Sequence, residues 1–179
     1  HTALDPAARV ALTLRLVCGV ATPDVARAFL VPEPTMAARI TRAKKKITQA
    51  RIPYRTPTAA ELPERLESVL AAVHLLFSTG HTAPTGDQPV RADLCERALD
   101  LARTLVALLP DEREARGLLG LLLLTHARRA TRLDADGRLV PLERQDRRRW
   151  DHVLIVEGLR WTVEPSPVEI GRASCRERV

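Results

Sequence analysis

TPDVARAFLVPEPTMAARITRAKKKI, residues 22–47, reads as two helices with a short break between them. Thr22 is placed to cap the first, Pro23 suits its first helical position, and Asp24 is favourable in its first turn. Val25, Ala26, Phe29 and Leu30 form its expected buried side, and VPEP (31–34) ends it. From Pro34 to Ile47 the apolar residues return at a helical period. At about 100° per residue, Met36, Ile40, Ala43 and Ile47 share one narrow arc. The opposite arc carries Ala38, Thr41, Arg42 and Lys45, with Thr35, Arg39 and Lys46 on one flank, and residues 34–47 include no acid. A short helix, a brief turn and a second, basic helix is the helix-turn-helix pattern. Small residues let a backbone come close to another surface, and cations suit phosphates and guanine edges. A helix that enters a DNA major groove needs both. The plainer reading is a solvated cationic face that binds nothing; the capped helices before it favour DNA.

Upstream, Asp5-Pro6 is another helix start, followed by Val10, Leu12, Leu14, Leu16 and Val17, with Gly19 able to close the helix in the left-handed conformation. Downstream, residues 52–63 (IPYRTPTAAELP) carry three prolines and read as a linker. A helical segment follows at 64–168. Leu62, Leu66, Val69, Leu70, Val73 and Phe77 are spaced as the apolar stripe of its first helix, and STGHTAPTGDQP (78–89) reads as a loop. Residues 90–130 hold two apolar-periodic runs broken by Leu-Pro-Asp-Glu at 109–112, which predicts an antiparallel helical hairpin of the tetratricopeptide type. No period near 34 residues appears, so a repeat array is not implied. Asp136-Gly137 signals a tight turn. Gly137 and Glu143 imitate the spacing of a calcium loop, but its first ligand position would be Arg132, a cation where an acid belongs. Trp150 reads as a packing anchor. The expected fold class is therefore all-α: a helix-turn-helix domain at 1–51 followed by a helical extension.

Charge separates these parts. Residues 1–55 hold ten Lys and Arg against three Asp and Glu, a net +7; the whole chain is +6, which leaves −1 for the remainder. Only the first part invites a polyanion as a whole. Aromatics make up 3% of the 179 residues, so the core is aliphatic. No apolar run approaches the ~18 residues of a membrane span, and no secretory pattern is visible. Cys18, Cys95 and Cys175 lie far apart without CxxC or neighbouring His, which argues against a disulfide framework or structural zinc and for a reducing cytoplasm. There is no nucleophile elbow, glycine-rich phosphate loop or HExxH, and His1, His74, His81, His126 and His152 are scattered. Neither catalysis, nor a cofactor, nor a small-molecule substrate is implied. The chain begins with His1, so its natural start is expected to be missing, and EIGRASCRERV (169–179) reads like translated sequencing adapter.

Residues 1–47 as a whole, through ALTLRLV at 11–17, T..DVARAF at 22–29 and E.TMA.RI.RAKKKI at 33–47, resemble region four of the extracytoplasmic-function (ECF) sigma factors of bacterial RNA polymerase. The continuation, from RIPYRTP through LARTLVALLPDEREARGLLGLLLLTHARRA to QDRRRWD, resembles the subgroup with a long tetratricopeptide-like C-terminal extension. The likeness runs to about residue 160. It implies a recognition helix in the major groove of the promoter −35 element and a grip on the polymerase flap. By position along that helix, Ala37, Ala38, Thr41 and Arg42 correspond to base-edge contacts, and Arg39, Lys44 and Lys45 to phosphate contacts. Thr35 and Lys46 complete the DNA-facing set, although the helical wheel sets Ala37 at the groove's margin. Arg42 is the residue expected to read a guanine. Alanines at 37 and 38 are short, which moves readout towards DNA shape. Region two, which in this family melts the −10 element and clamps the polymerase, is absent, and the helix that normally opens region four is missing or cut. The resemblance thus implies a cytoplasmic, nucleoid-associated C-terminal fragment that binds −35 DNA weakly and does not initiate transcription, with the extension regulatory. Two alternatives remain: a dimeric helix-turn-helix repressor with a helical sensor domain, and a helical interaction scaffold with an incidental basic patch.

Overall fold

A computed structural model of the chain describes residues 4–51, 55, 58–81 and 91–163. Of the loop expected at 78–89, residues 78–81 instead continue the helix Leu62–His81; residues 82–89, most of the proline-rich stretch at 52–57 and the segment 169–179 lie outside the described residues. Among the described residues there are seven α-helices and no β-structure beyond one isolated antiparallel bridge, an all-α fold. By compactness the chain divides into His1–Ala98 and Leu99–Val179.

The first unit begins with α1 (Pro6–Leu12), where the Asp5 carboxylate accepts the Ala8 N–H at 3.2 Å and Pro6 occupies the first position. The helix then widens into a π-helical stretch, Thr13–Val17, closed by Cys18 N–H donating to the Thr13 carbonyl at 3.0 Å. The Thr13 hydroxyl donates back to the Arg9 carbonyl at the same place. A π turn carries an extra residue, so the side chains beyond Thr13 are rotated out of the α-helical phase. Leu14 is fully buried, as expected, but Leu16 and Val17, expected on the buried side, face solvent, and Cys18 and Val20 take their place in the core. Gly19 has φ +71°, the left-handed turn expected of it.

Helix α2 (Thr22–Ala28) is capped by extended Ala21, not Thr22, so Thr22 and Pro23 fill its first two positions. Val25 and Ala26 are buried; Phe29 is half-buried and Leu30 is 93% exposed. The backbone gives the reason. Val31 N–H donates to the Ala26 carbonyl and Leu30 N–H to that of Arg27, the paired bonds of a Schellman cap, which forces Leu30 to φ +53° and turns its side chain outward. Glycine is the usual occupant of that position, and a leucine there costs about 1–2 kcal/mol. Helix α3 (Glu33–Gln49) begins one residue before Pro34 and buries Met36, Ile40 and Ala43 on α1 and α2; Ile47 is half-buried.

Helix α4 (Leu62–His81), read from sequence as the start of the extension, packs on α1 and α2 within this first unit. Leu66, Leu70, Val73 and Phe77 are buried as the stripe predicts, joined by Ala72 and Leu76, whereas Leu62 and Val69 at its edge are exposed. Helix α5 (Ala92–Leu108) crosses the boundary between the units, and its Cys95 thiol donates to the Phe77 carbonyl at 3.7 Å.

In the second unit, α6 (Arg113–His126) follows the break at 109–112, and its closest partner is α7 (His152–Val163). The two cross where glycines meet. A Cβ on Gly120 would lie 2.5 Å from Thr162 Cγ2 and 3.1 Å from the Gly158 carbonyl oxygen, so the backbones approach more closely than any side chain permits. Arg103 joins α5 to α7 through two 2.9 Å bonds to Glu157. The connection 127–151 is short 3₁₀ turns and one tight turn at Asp136-Gly137, with Gly137 at φ +76° and Leu133 bridged to Leu139. There the Asp134 carboxylate accepts the Asp136 and Arg138 N–H groups at 2.9 and 2.8 Å, a turn stabilised by its own side chain. Trp150 is an anchor: its indole N–H donates to buried Thr131 at 3.1 Å, and the Gln145 amide holds the Val140 carbonyl at 2.9 Å.

Candidate nucleic-acid interface

Helix α3 presents the face that its sequence describes. Thr35, Ala37, Ala38, Thr41, Arg42, Lys44, Lys45 and Lys46 are all exposed, while Arg39 is half-buried. The division follows from the opposite stripe: with Met36, Ile40 and Ala43 locked against α1 and α2, the remaining positions have only solvent to face. The nine residues thus occupy the part of α3 outside its buried stripe, with Arg39 and Lys44 at the two edges.

Several arginines elsewhere in the chain are held by carboxylates. Arg27 pairs with Asp24, Arg65 with Glu61, Arg91 with Asp93, Arg103 with Glu157, Arg129 with Asp151 and Arg138 with Asp136. Arg42, Lys44, Lys45 and Lys46 have no such carboxylate among the described residues, and Glu33 in the first turn is the one acid of α3. An unpaired cation needs no ion pair broken before it meets a phosphate, so binding a polyanion costs less here than at those paired arginines.

Three details go beyond the sequence. The Arg39 guanidinium sits over the Phe29 ring at 6.0 Å, which ties the end of α2 to α3 and fixes that cation's direction. The Thr41 hydroxyl donates to the Ala37 carbonyl at 2.9 Å, leaving it lone pairs and a methyl group to offer outward. Arg39, Arg42 and Lys46 line, with Leu4, Asp5, Ala8 and Ala43, an open recess of about 260 Å³ between the start of α1 and the flank of α3. Leu4 and Asp5 were not legible as part of this surface, because they lie far from α3 in sequence and Asp5 reads only as a helix cap. Away from the face, burial pushes the Cys18 thiol up, against the opposing pull of Arg97, as befits a core filler.

Residues 1–47 match the family Sigma-70, region 4. That family is a DNA-binding domain of transcription factors, so the helix-turn-helix and its basic helix are similar to a sigma-type module, consistent with a C-terminal sigma-factor fragment. Residues 65–165, more than half of the chain, match the family of unknown function DUF6596, and the chain belongs to it. It is similar to an uncharacterized protein of Rhizobium meliloti (strain 1021), 46% identical over 159 residues, which is 89% of this chain and 38% of that protein. The chain thus spans well under half the length of the relative it matches. No solved structure matches it. Among the described residues no helix is long and apolar enough to cross a membrane.

Proposed function

We propose that this chain is the promoter-reading and regulatory part of an ECF sigma factor, with α3 entering the major groove of a −35 element. One observation carries the reading: beyond Glu33 in its first turn, the outward side of α3 has no acid, and its Arg42, Lys44, Lys45 and Lys46 form no ion pair among the described residues, while its inward side is locked on α1 and α2. Ala38, Thr41, Arg42 and Lys45 face the groove. Ala37 reaches its margin, Arg42 reads guanine, and Thr35, Arg39, Lys44, Lys45 and Lys46 hold phosphates on either side. With the Thr41 hydroxyl tied to the backbone, its methyl group is available to a thymine methyl. Exposed Leu16, Val17 and Leu30 offer apolar surface to the flap of core polymerase. The tetratricopeptide-like extension beyond the boundary at 52–63 regulates the DNA-binding part, in the cytoplasm and at the nucleoid.

Binding of the full chain to duplexes that carry candidate −35 sequences tests this. Arg42→Ala is expected to lose about 1–3 kcal/mol of discrimination at one guanine position. Lys45→Ala is expected to weaken all sequences alike and to lower the slope of log K against log salt by about 0.9. If Arg42→Ala leaves discrimination intact, the base-reading role fails.

A further inference from the structure

The second unit is near neutral in sum but not in distribution. Residues 99–114 hold two Arg against four acids, and residues 128–149 hold eight Arg against four acids. The fold then gathers the arginines of the second stretch. The 3₁₀ turn Arg129–Thr131 packs against the turn Arg147–Arg149, and the pair is pinned by the Trp150–Thr131 hydrogen bond at 3.1 Å and by Gln145 at 3.3 Å from the same threonine hydroxyl.

What each charge does decides whether this is a binding surface. Asp146 accepts the Arg148 N–H at 3.0 Å, and Asp134 accepts two backbone N–H groups of its own turn, so both carboxylates are spent on the backbone. Arg129 and Arg138 hold Asp151 and Asp136. Arg144, Arg148 and Arg149 are exposed and have no carboxylate partner among the described residues; Glu143 is the acid left beside them. Arg147 lies over the Trp150 ring at 5.6 Å. A guanidinium stacked on a ring keeps its N–H edges free and held in plane, which is the arrangement that meets a phosphate through two parallel hydrogen bonds. Lysine would offer neither the plane nor the stack.

We infer that the arginine-bearing turns at 128–149 form a second DNA contact, which grips the phosphate backbone of duplex DNA without reading its sequence. Duplex DNA is the polyanion that the chain's own region-four module takes, so the covalent link presents this surface to DNA at raised effective concentration. Rigid turns with side-chain caps suit a contact made with a regular row of phosphates.

The test uses the full chain and a fluorescein-labelled duplex of random sequence, titrated at several salt concentrations. Arg148→Gln with Arg149→Gln is compared with Arg65→Gln with Arg91→Gln, which removes the same charge from arginines that lie outside this surface and hold carboxylates. The first pair is expected to lower the log–log salt slope by about 1.8, at about 0.9 for each phosphate left without its arginine, and the second to leave it close to the parent. Circular dichroism of both variants is expected to match the parent. Equal slopes in all three proteins overturn the inference. So does binding to a polyglutamate probe that falls in the first variant while duplex binding stays intact, because the surface would then serve an acidic protein. The outcome does not depend on the promoter reading: failure of Arg42→Ala to change discrimination leaves this comparison unaffected.

Discussion

Two glycines of one helix should respond in opposite ways to the same methyl group. Gly117 and Gly120 both lie inside α6, where exchanging glycine for alanine favours the helix by about 1 kcal/mol. A Cβ at Gly117 meets nothing within 4 Å, so Gly117→Ala is expected to stabilise by about 0.5–1 kcal/mol. At Gly120 the new carbon falls 2.5 Å from Thr162 Cγ2 and 3.1 Å from the Gly158 carbonyl oxygen. Carbon atoms prefer about 3.5–4.0 Å, so α7 must shift by about an ångström, at an overpacking cost of about 1–3 kcal/mol. The two variants should therefore differ by about 1–3 kcal/mol, equivalent to about 4 °C or more in Tm for a unit of this size. Trp150 and Trp161 are the only tryptophans in the chain, so their fluorescence during urea unfolding reports on this region. Thr162→Ala removes the nearer of the two obstacles and should recover part of the loss in the Gly120→Ala background. If Gly120→Ala is as stable as Gly117→Ala, the backbones of α6 and α7 do not meet as described.

Leu30→Gly should stabilise the first unit by about 1 kcal/mol in thermal unfolding, since it relieves a left-handed leucine whose side chain touches little. Met36→Ala should cost about 2–5 kcal/mol and lower DNA affinity through loss of the α3 seat, visible as a fall in helicity that Lys45→Ala does not share. Trp150→Phe keeps an aromatic ring but removes the pyrrole part of the indole together with the donor to Thr131, with an expected loss of at least about 0.5–1.5 kcal/mol, the share of the hydrogen bond alone, by urea titration. Hydrogen bonds from Arg55 and from the Thr58 backbone and hydroxyl hold the Glu61 carboxyl down to about 2, from an ordinary 4.5. A depressed carboxyl contributes stability above its ordinary value and loses it as pH falls, so carbon-detected NMR should find Glu61 still ionised at pH 3.5 and neutral below pH 2 (about 2 being its midpoint). Arg55→Gln should return its midpoint towards the ordinary range.

The helices of this chain were legible because their determinants are local. Asp5-Pro6, the period of Met36, Ile40 and Ala43, and Asp136-Gly137 each act within a few residues, and each forms the element expected. The basic side of α3 was legible for the same reason: a helical period and an absence of acids can be read along one segment. The errors arose where a local rule met an irregular backbone. Leu16 and Val17 fit an α-helical stripe until the π turn at Thr13 rotates them outward. Leu30 fits the buried side of α2, but nothing local says that a leucine will take a glycine's place in a cap. What joins distant segments was not legible: Leu4 and Asp5 beside Arg42, Arg39 over Phe29, and the arginine turns at 129–131 and 147–149 packed together. These depend on tertiary packing that spacing alone does not encode.

Helix α1 touches both α3 and α4, and so stands between the basic helix and the first helix of the DUF6596 segment within one hydrophobic core. Thermodynamic linkage then runs in both directions. Whatever shifts α4 by preferring one of its positions changes DNA affinity by the same factor by which DNA changes the affinity for that agent. On the regulatory role proposed above, such a link needs no second protein to carry its message.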